Sequence, residues 1–259
     1  METETTPSAA GPARAHGAPT GSEGDRGTRR SRPRRLSTSV SDELLRRIVS
    51  GEYPVGTPLP PEPLLVDEFD VSRPVVREAV KSLESAGLVS IRQGDGTVVR
   101  DRATWSMLDP RVLRVALLYD TGDRLTDDAT ELRVELERAL ISEAALKLTE
   151  ADFAAMAEHL RVIDTATRLI DMQGADLGFH QIYRSRSGNE LKSSIVRLLL
   201  EEMPPPERLA QHSREMYDVA NRQHWEIYRA LRDGRTDDAM DAIARHVRGT
   251  WTWRPHESS

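Results

Sequence analysis

"DVSRPVVREAV" (residues 70–80) sets two arginines, Arg73 and Arg77, four residues apart in a chain of formal net charge −6. Ser72 stands just before them, and serine is among the residues favoured where a helix begins. Val76, Ala79, Val80 and Leu83 follow at i, i+3, i+4 and i+7, one apolar stripe along a helix. The spacing predicts a helix over 73–85, stopped by Gly87. Arg73, Arg77 and Lys81 fall at i, i+4 and i+8 beside that stripe, on a ridge the core does not use. Such a ridge can be a solvated face, paired with Glu78 or Glu84. It can also carry guanidinium groups to guanine edges or phosphates.

The flanking sequence favours the second reading. Upstream, "SVSDELLRRIVSGEY" (39–53) places Val40, Leu44, Leu45 and Ile48 on one face, with Ser41 as the expected cap and Gly51 as the stop. "YPVGTPLPPE" is a turn-rich connector, and "EPLLVDEFDV" reads as a short second helix with Pro63 in its first turn. Downstream, "LVSIRQGDGTVVR" puts two β-rich runs around Gly94-Asp95-Gly96, a hairpin signal. Three short helices and a hairpin predict a winged helix-turn-helix over 37–101. Such folds lay the third helix in the major groove of double-stranded DNA.

The charge is unevenly spread. Residues 1–36 hold seven arginines and four acidic residues, whereas 37–100 hold seven basic and ten acidic ones. A nucleic-acid contact must therefore be focused on one ridge rather than on a globally basic surface. Residues 1–36 lack a hydrophobic period and are expected to be a disordered, Arg-rich tail, either a plain linker or a basic arm toward phosphates. Hydrophobic residues are 38%, charged residues 30% and aromatic residues 5% of the chain. Few aromatics argue against a stacking platform for single strands. No apolar run approaches the ~20 residues of a membrane span, and no secretory h-region stands at the start. No membrane partner and a cytoplasmic location are the expectation. With no cysteine, disulfides, thiolate metal sites and cysteine nucleophiles are excluded.

"LPPEPLLVDEFDVSRPVVREAVKSLESAGLVSIRQGDGTVV" (59–99) resembles the DNA-binding domain of GntR-family transcription regulators, in its LP-x-E start, VSR-x-x-VREA-x-x-L core, G-L turn and G-x-G-x-x-V wing. The resemblance implies contacts to operator DNA from Ser72, Arg73, Arg77 and Lys81, and minor-groove contact from the wing tip at Gln93 and Gly94. It also marks a departure. Where the family usually has an arginine or another polar residue after the glutamate of LP-x-E, this chain has Pro63, which cannot make that contact.

Beyond a connector (102–124), residues 125–252 read as an all-α antiparallel bundle of six or seven helices, with 253–259 as a tail. Leu132, Leu136, Leu140, Ile141 and Ala144 form the first expected stripe. Thr149 caps a helix expected over 150–170, and the next is expected over 174–187, ended by Gly188. Asp176 and His180 are one helical turn apart. His224 lies on the stripe of Ile227, Tyr228 and Leu231, and His246 flanks Met240, Ile243 and Val247. One carboxylate and three inward imidazoles suit Zn²⁺, or another borderline divalent metal such as Ni²⁺. The plainer alternative is core-edge histidines bonded to neighbours. His159 and His212 have no comparable setting.

"DLGFHQIYRSRSGNEL" and "QHWEIYRALRDGRTDDAMDAIARHV" resemble the ligand-binding FCD domain of FadR-type GntR regulators, and "ELRVELE" resembles its first helix. This implies a divalent metal on Asp176, His180, His224 and His246, at the base of an effector cavity that Arg133 faces. "WSMLDPRVL" is weakly similar to the connector of galactonate and other sugar-acid operon repressors. The expectation is a ligand-responsive repressor, not an enzyme. It would bind a palindromic operator as a homodimer and answer to a small carboxylic or sugar acid. A metal-dependent enzyme and a metal-ion sensor are the alternatives.

Overall fold

The computed structural model describes residues 26–252 except 93, 95, 121, 123 and 204–212, with only the backbone at 26–34 and 250–252. The first helix, α1 (Arg26–Val49), buries Val40, Leu44, Leu45 and Ile48 as the spacing requires. It begins well before the expected start. Residues 26–36 are helical rather than a disordered tail, and Ser41 is a buried interior residue rather than a cap. Arginine is a good helix former, and extending a helix already nucleated by Val40 and Leu44 costs little. The remaining tails, 1–25 and 253–259, lie outside the described residues.

Helix α2 (Glu62–Phe69) accepts Pro63 in its first turn and buries Leu65. It ends at Asp70, whose φ of 50° is left-handed, a conformation a short polar side chain tolerates better than most. That residue makes the tight turn into α3 (Arg73–Ser85). Val75, Val76, Ala79 and Leu83 of α3 are buried against α1 and α2, and Val80 is only half-buried. Val75 was not on the expected stripe: the hydrophobic contact is wider than one seam.

Strands β1 (Val89–Arg92) and β2 (Gly96–Val99) pair antiparallel, from Val89 opposite Val99 to Arg92 opposite Gly96. Residues 56–59 add a short third edge through Leu59 N–H to Thr97 C=O and Val99 N–H to Thr57 C=O. Gly87 joins α3 to the wing at φ 80°, and a Cβ there would sit 2.1 Å from the Thr104 carbonyl oxygen. Gly87→Ala is expected to destabilise the fold by about 2–6 kcal/mol, since left-handed strain and forced overpacking each cost about 1–3. A urea titration measures this, and an unchanged midpoint would contradict it.

The expected connector contains a 3₁₀ turn (Arg102–Thr104), the buried Trp105 and a further helix, α4 (Pro110–Leu118), capped by Asp109. Val112 of α4 packs with the winged-helix core. Leu113 and Leu117 pack instead with Ala129, Leu199 and Met203 of the second domain.

That domain contains α5 (Arg124–Ala145), α6 (Glu150–Thr165), α7 (Leu169–Ser187), α8 (Glu190–Glu202), α9 (Arg214–Arg232) and α10 (Thr236–Thr252). Helix α5 packs on α7 and α10, and α9 packs on α6 and α10. Thr149 and Asp152 form a reciprocal capping box at the start of α6. The expected 150–170 helix ends at Thr165, and α7 starts at Leu169 rather than at Gly174. Gly174 is tolerated inside a helix whose Met172, Ala175 and Phe179 are buried. Leu132 faces outward at 44% exposure, while Arg133 and Glu137 are buried in α5.

Candidate nucleic-acid interface and metal centre

Arg73, Arg77 and Lys81 are all exposed on the side of α3 opposite its core stripe. Arg77 Nε donates to Glu62 Oε2 at 2.8 Å. Its partner is therefore a residue of α2, not Glu78 or Glu84, and the bond raises the Arg77 pKa further. Glu84 instead accepts the Ile91 backbone N–H at 3.0 Å, which ties α3 to the wing. Ser72 takes the N-cap position with extended backbone angles, but its side chain makes no capping hydrogen bond. Few N–H groups are free at this helix start. Pro74 has none, and Val75 N–H bonds to Ser72 C=O at 3.0 Å. Gly94 is exposed at the wing tip with φ 95°. Gln93 lies outside the described residues. Pro63 is exposed and offers no donor.

The second site is built by three helices. His180 on α7, His224 on α9 and His246 on α10 are buried at 3%, 0% and 2% exposure. One nitrogen of each lies within 4.8 Å of the others. His224 Nε2 and His246 Nε2 are 3.2 Å apart, and His224 Nε2 is 3.4 Å from Asp176 Oδ1. Asp176 thus reaches the cluster through His224. His246 Nδ1 is 3.1 Å from Gln223 Oε1, which accepts its proton and leaves Nε2 bare. His224 Nδ1 is buried and has no hydrogen-bond partner among the described residues. Whichever nitrogen of His224 carries the proton, a buried polar atom is left poorly satisfied. A cation on Nε2 would replace the contact between the His224 and His246 nitrogens and leave Nδ1 to carry the proton.

Burial disfavours the charged imidazoles. It lowers His224 to about 3, with the Arg133 charge adding to the effect. Burial also takes His180 and His246 well below 6.5, helped for His180 first by Arg184 and for His246 first by His224. Neutral imidazoles are the form that ligates metals. Burial raises Asp176 to about 6, against the pull of Arg133 and Arg184.

These shifts have opposite consequences for stability. An unfolded chain protonates its histidines as pH falls through 6.5, and the folded one does not. Their stabilisation is therefore present above that pH and is lost on acidification. Between about 6 and 3.8, Asp176 binds its proton first in the folded state, so falling pH there favours the fold. Three imidazoles outweigh one carboxyl. The metal-free protein is expected to melt at lower temperature at pH 5 than at pH 7, and a flat melting profile would contradict neutral burial of the trio.

Sequence reasoning missed what surrounds the trio. Glu137 (0% exposed) receives Tyr183 O–H at 2.7 Å and a two-point contact from the buried Arg184. Tyr183 OH is also 2.8 Å from His180 Nδ1. Arg133, four residues before Glu137, comes only to 3.7 Å of it, and its Nε has no hydrogen-bond partner among the described residues. A usable signal existed: Glu137 stands one turn after Arg133 on the face carrying Leu140, Ile141 and Ala144. His159 packs on Gly178 and is not part of the trio, and His212 is outside the described residues.

Two family descriptions match the chain: "Bacterial regulatory proteins, gntR family" over 36–99, and "FCD domain" over 128–249. The regulator LutR of Bacillus subtilis is 30% identical over 77% of this chain and 92% of its own length. The chain belongs to the GntR family. This GntR-family chain is also 29% identical to the galactonate operon transcriptional repressor of Escherichia coli, over 70% of the chain and 84% of that protein. It is 37% identical to the regulator Mce2R of Mycobacterium tuberculosis, over 59% of the chain, and spans 62% of the length of that relative. These relatives are named as transcription regulators, not enzymes. Among the described residues, no helix is long and apolar enough to cross a membrane.

Proposed function

We propose that this GntR-family chain is a ligand-responsive repressor that binds a palindromic operator in double-stranded DNA as a homodimer. The reading adds that its FCD domain holds a divalent metal, zinc or a borderline ion such as nickel, and a small carboxylic or sugar acid. The observation that carries the effector reading is the pairing of a neutral His180–His224–His246 trio with a buried arginine, Arg133, whose Nε has no hydrogen-bond partner among the described residues. His180, His224, His246 and Asp176 would hold the metal. When bound, it supplies a Lewis-acidic point for carboxylate and hydroxyl oxygens. Arg133 supplies a fixed positive charge for the same anion, and its charge already reaches His224 and Asp176. The similarity to a galactonate operon repressor supports a sugar acid as effector.

At the DNA, Arg73, Arg77 and Lys81 face base edges and phosphates, Ser72 offers its hydroxyl, and Gln93 and Gly94 reach from the wing. That role places the protein in the cytoplasm, at the chromosome. Fluorescence anisotropy on labelled duplexes from the DNA flanking its own gene tests the whole reading. Sequence-selective binding that a sugar or hydroxy acid weakens is expected. Binding that never distinguishes flanking from random DNA would refute it. If stripping and restoring zinc alone switched binding, the metal rather than an acid would be the signal.

A further inference from the structure

We infer that Tyr183 is a positioning residue for His180. Its hydroxyl, anchored on Glu137, holds the imidazole as the Nδ1–H tautomer and leaves Nε2 as the ring's only lone pair. The consequence for metal affinity rests on the metal-centre reading above, but the tautomer itself does not.

Tyr183 has one hydroxyl proton and two close partners. Glu137 Oε2 is 2.7 Å away and His180 Nδ1 is 2.8 Å away. A carboxylate paired with the Arg184 guanidinium accepts and does not donate. The Tyr183 proton therefore goes to Glu137, and the second short contact is a hydrogen bond only if His180 Nδ1–H donates to the hydroxyl oxygen. No other arrangement of protons satisfies both. Tyr183 and Glu137 are each 0% exposed, so water does not compete for either contact.

His246 shows the same logic with a different partner, its Nδ1 lying against Gln223 Oε1. Two of the three imidazoles are thus fixed in one tautomer by a neighbour that would not itself touch a metal. Partners of this kind raise ligand basicity and fix ring orientation. Glu137 also connects the relay to Arg184 and, at 3.7 Å, to Arg133. The residue that sets the His180 tautomer therefore shares a carboxylate with the arginine assigned to the effector.

The test uses the full chain, ¹⁵N-labelled and metal-free. Long-range ¹H–¹⁵N correlation of His180 reads the tautomer directly. The parent is expected to show Nδ1–H, and Tyr183→Phe is expected to show a mixture or the Nε2–H form. Zinc affinity, by competition with a chromophoric chelator, should fall about 10–100-fold in Tyr183→Phe, with far-UV circular dichroism of the metal-free variant unchanged. Three results would overturn the inference: a parent His180 in the Nε2–H form, a variant that keeps Nδ1–H in full, or a variant that binds zinc as tightly as the parent while His180→Ala does not. If His180→Ala itself binds zinc normally, the metal-centre reading fails, and the tautomer readout alone decides the role of Tyr183.

Discussion

His224→Ala is expected to weaken zinc binding by more than about 100-fold, beyond the 10–100-fold typical of a residue that only supports a ligand. His224 is the contact point of the cluster. Its ring centroid is 5.0 Å from that of His180 and 4.3 Å from that of His246, and its Nε2 is the atom nearest Asp176. Removing it leaves His180 and His246, whose ring centroids are 5.2 Å apart, without the imidazole that reaches Asp176. Because the side chain is fully buried, alanine also opens a cavity. Asp176→Asn separates the two effects: it preserves shape at a half-buried position and replaces an ionisable ligand by a weak one. Both variants should keep sequence-selective DNA binding and lose the response to a carboxylic acid. Elemental analysis showing one metal per chain in both variants would remove the assigned site.

The second large effect is at the DNA. Arg73→Ala and Arg77→Ala are each expected to weaken specific binding by roughly 5- to 150-fold, the range for one bidentate arginine–guanine pair. Arg77 begins from its ion pair with Glu62, but both groups lie on the surface, where such pairs hold weakly and salt screens them. A guanine edge or a phosphate can displace that partner. Arg73 has no ion-pair partner among the described residues and should show the larger loss of the two. If an arginine reads a base, its alanine variant should lose discrimination at one operator position. If it binds phosphate, affinity should fall evenly across sequences and the salt dependence should become shallower. A titration in which both variants match the parent would contradict the assignment of α3 as the reading helix.

The features legible in the sequence were those set by local periodicity. The α3 stripe, the Gly87 stop and the hairpin could be read because each depends on residues a few positions apart. The three histidines could be read as inward-facing because each sits on or beside an apolar stripe. Their meeting point could not, since it depends on how α7, α9 and α10 pack. The buried Glu137–Tyr183–Arg184 network was hidden for a related reason. A charged residue on a helix is ordinarily assigned to water, and only a partner brought from another helix makes its burial tolerable. That is also why Leu132 was placed inward: hydrophobicity alone ranks it above Arg133 and Glu137. The start of α1 was missed because a run rich in Arg, Gly and Ser resembles a solvated linker in composition, whereas helix extension is decided by the turn that follows it.

Helix α4 bears on how this protein can be divided. Val112 and Leu113 are neighbours in sequence, yet each completes a different hydrophobic core. A cut before α4 strips a wall from the winged helix, and a cut after it strips one from the bundle. Fragments intended for separate work should therefore both include 102–118, and the intact chain should melt as one cooperative unit.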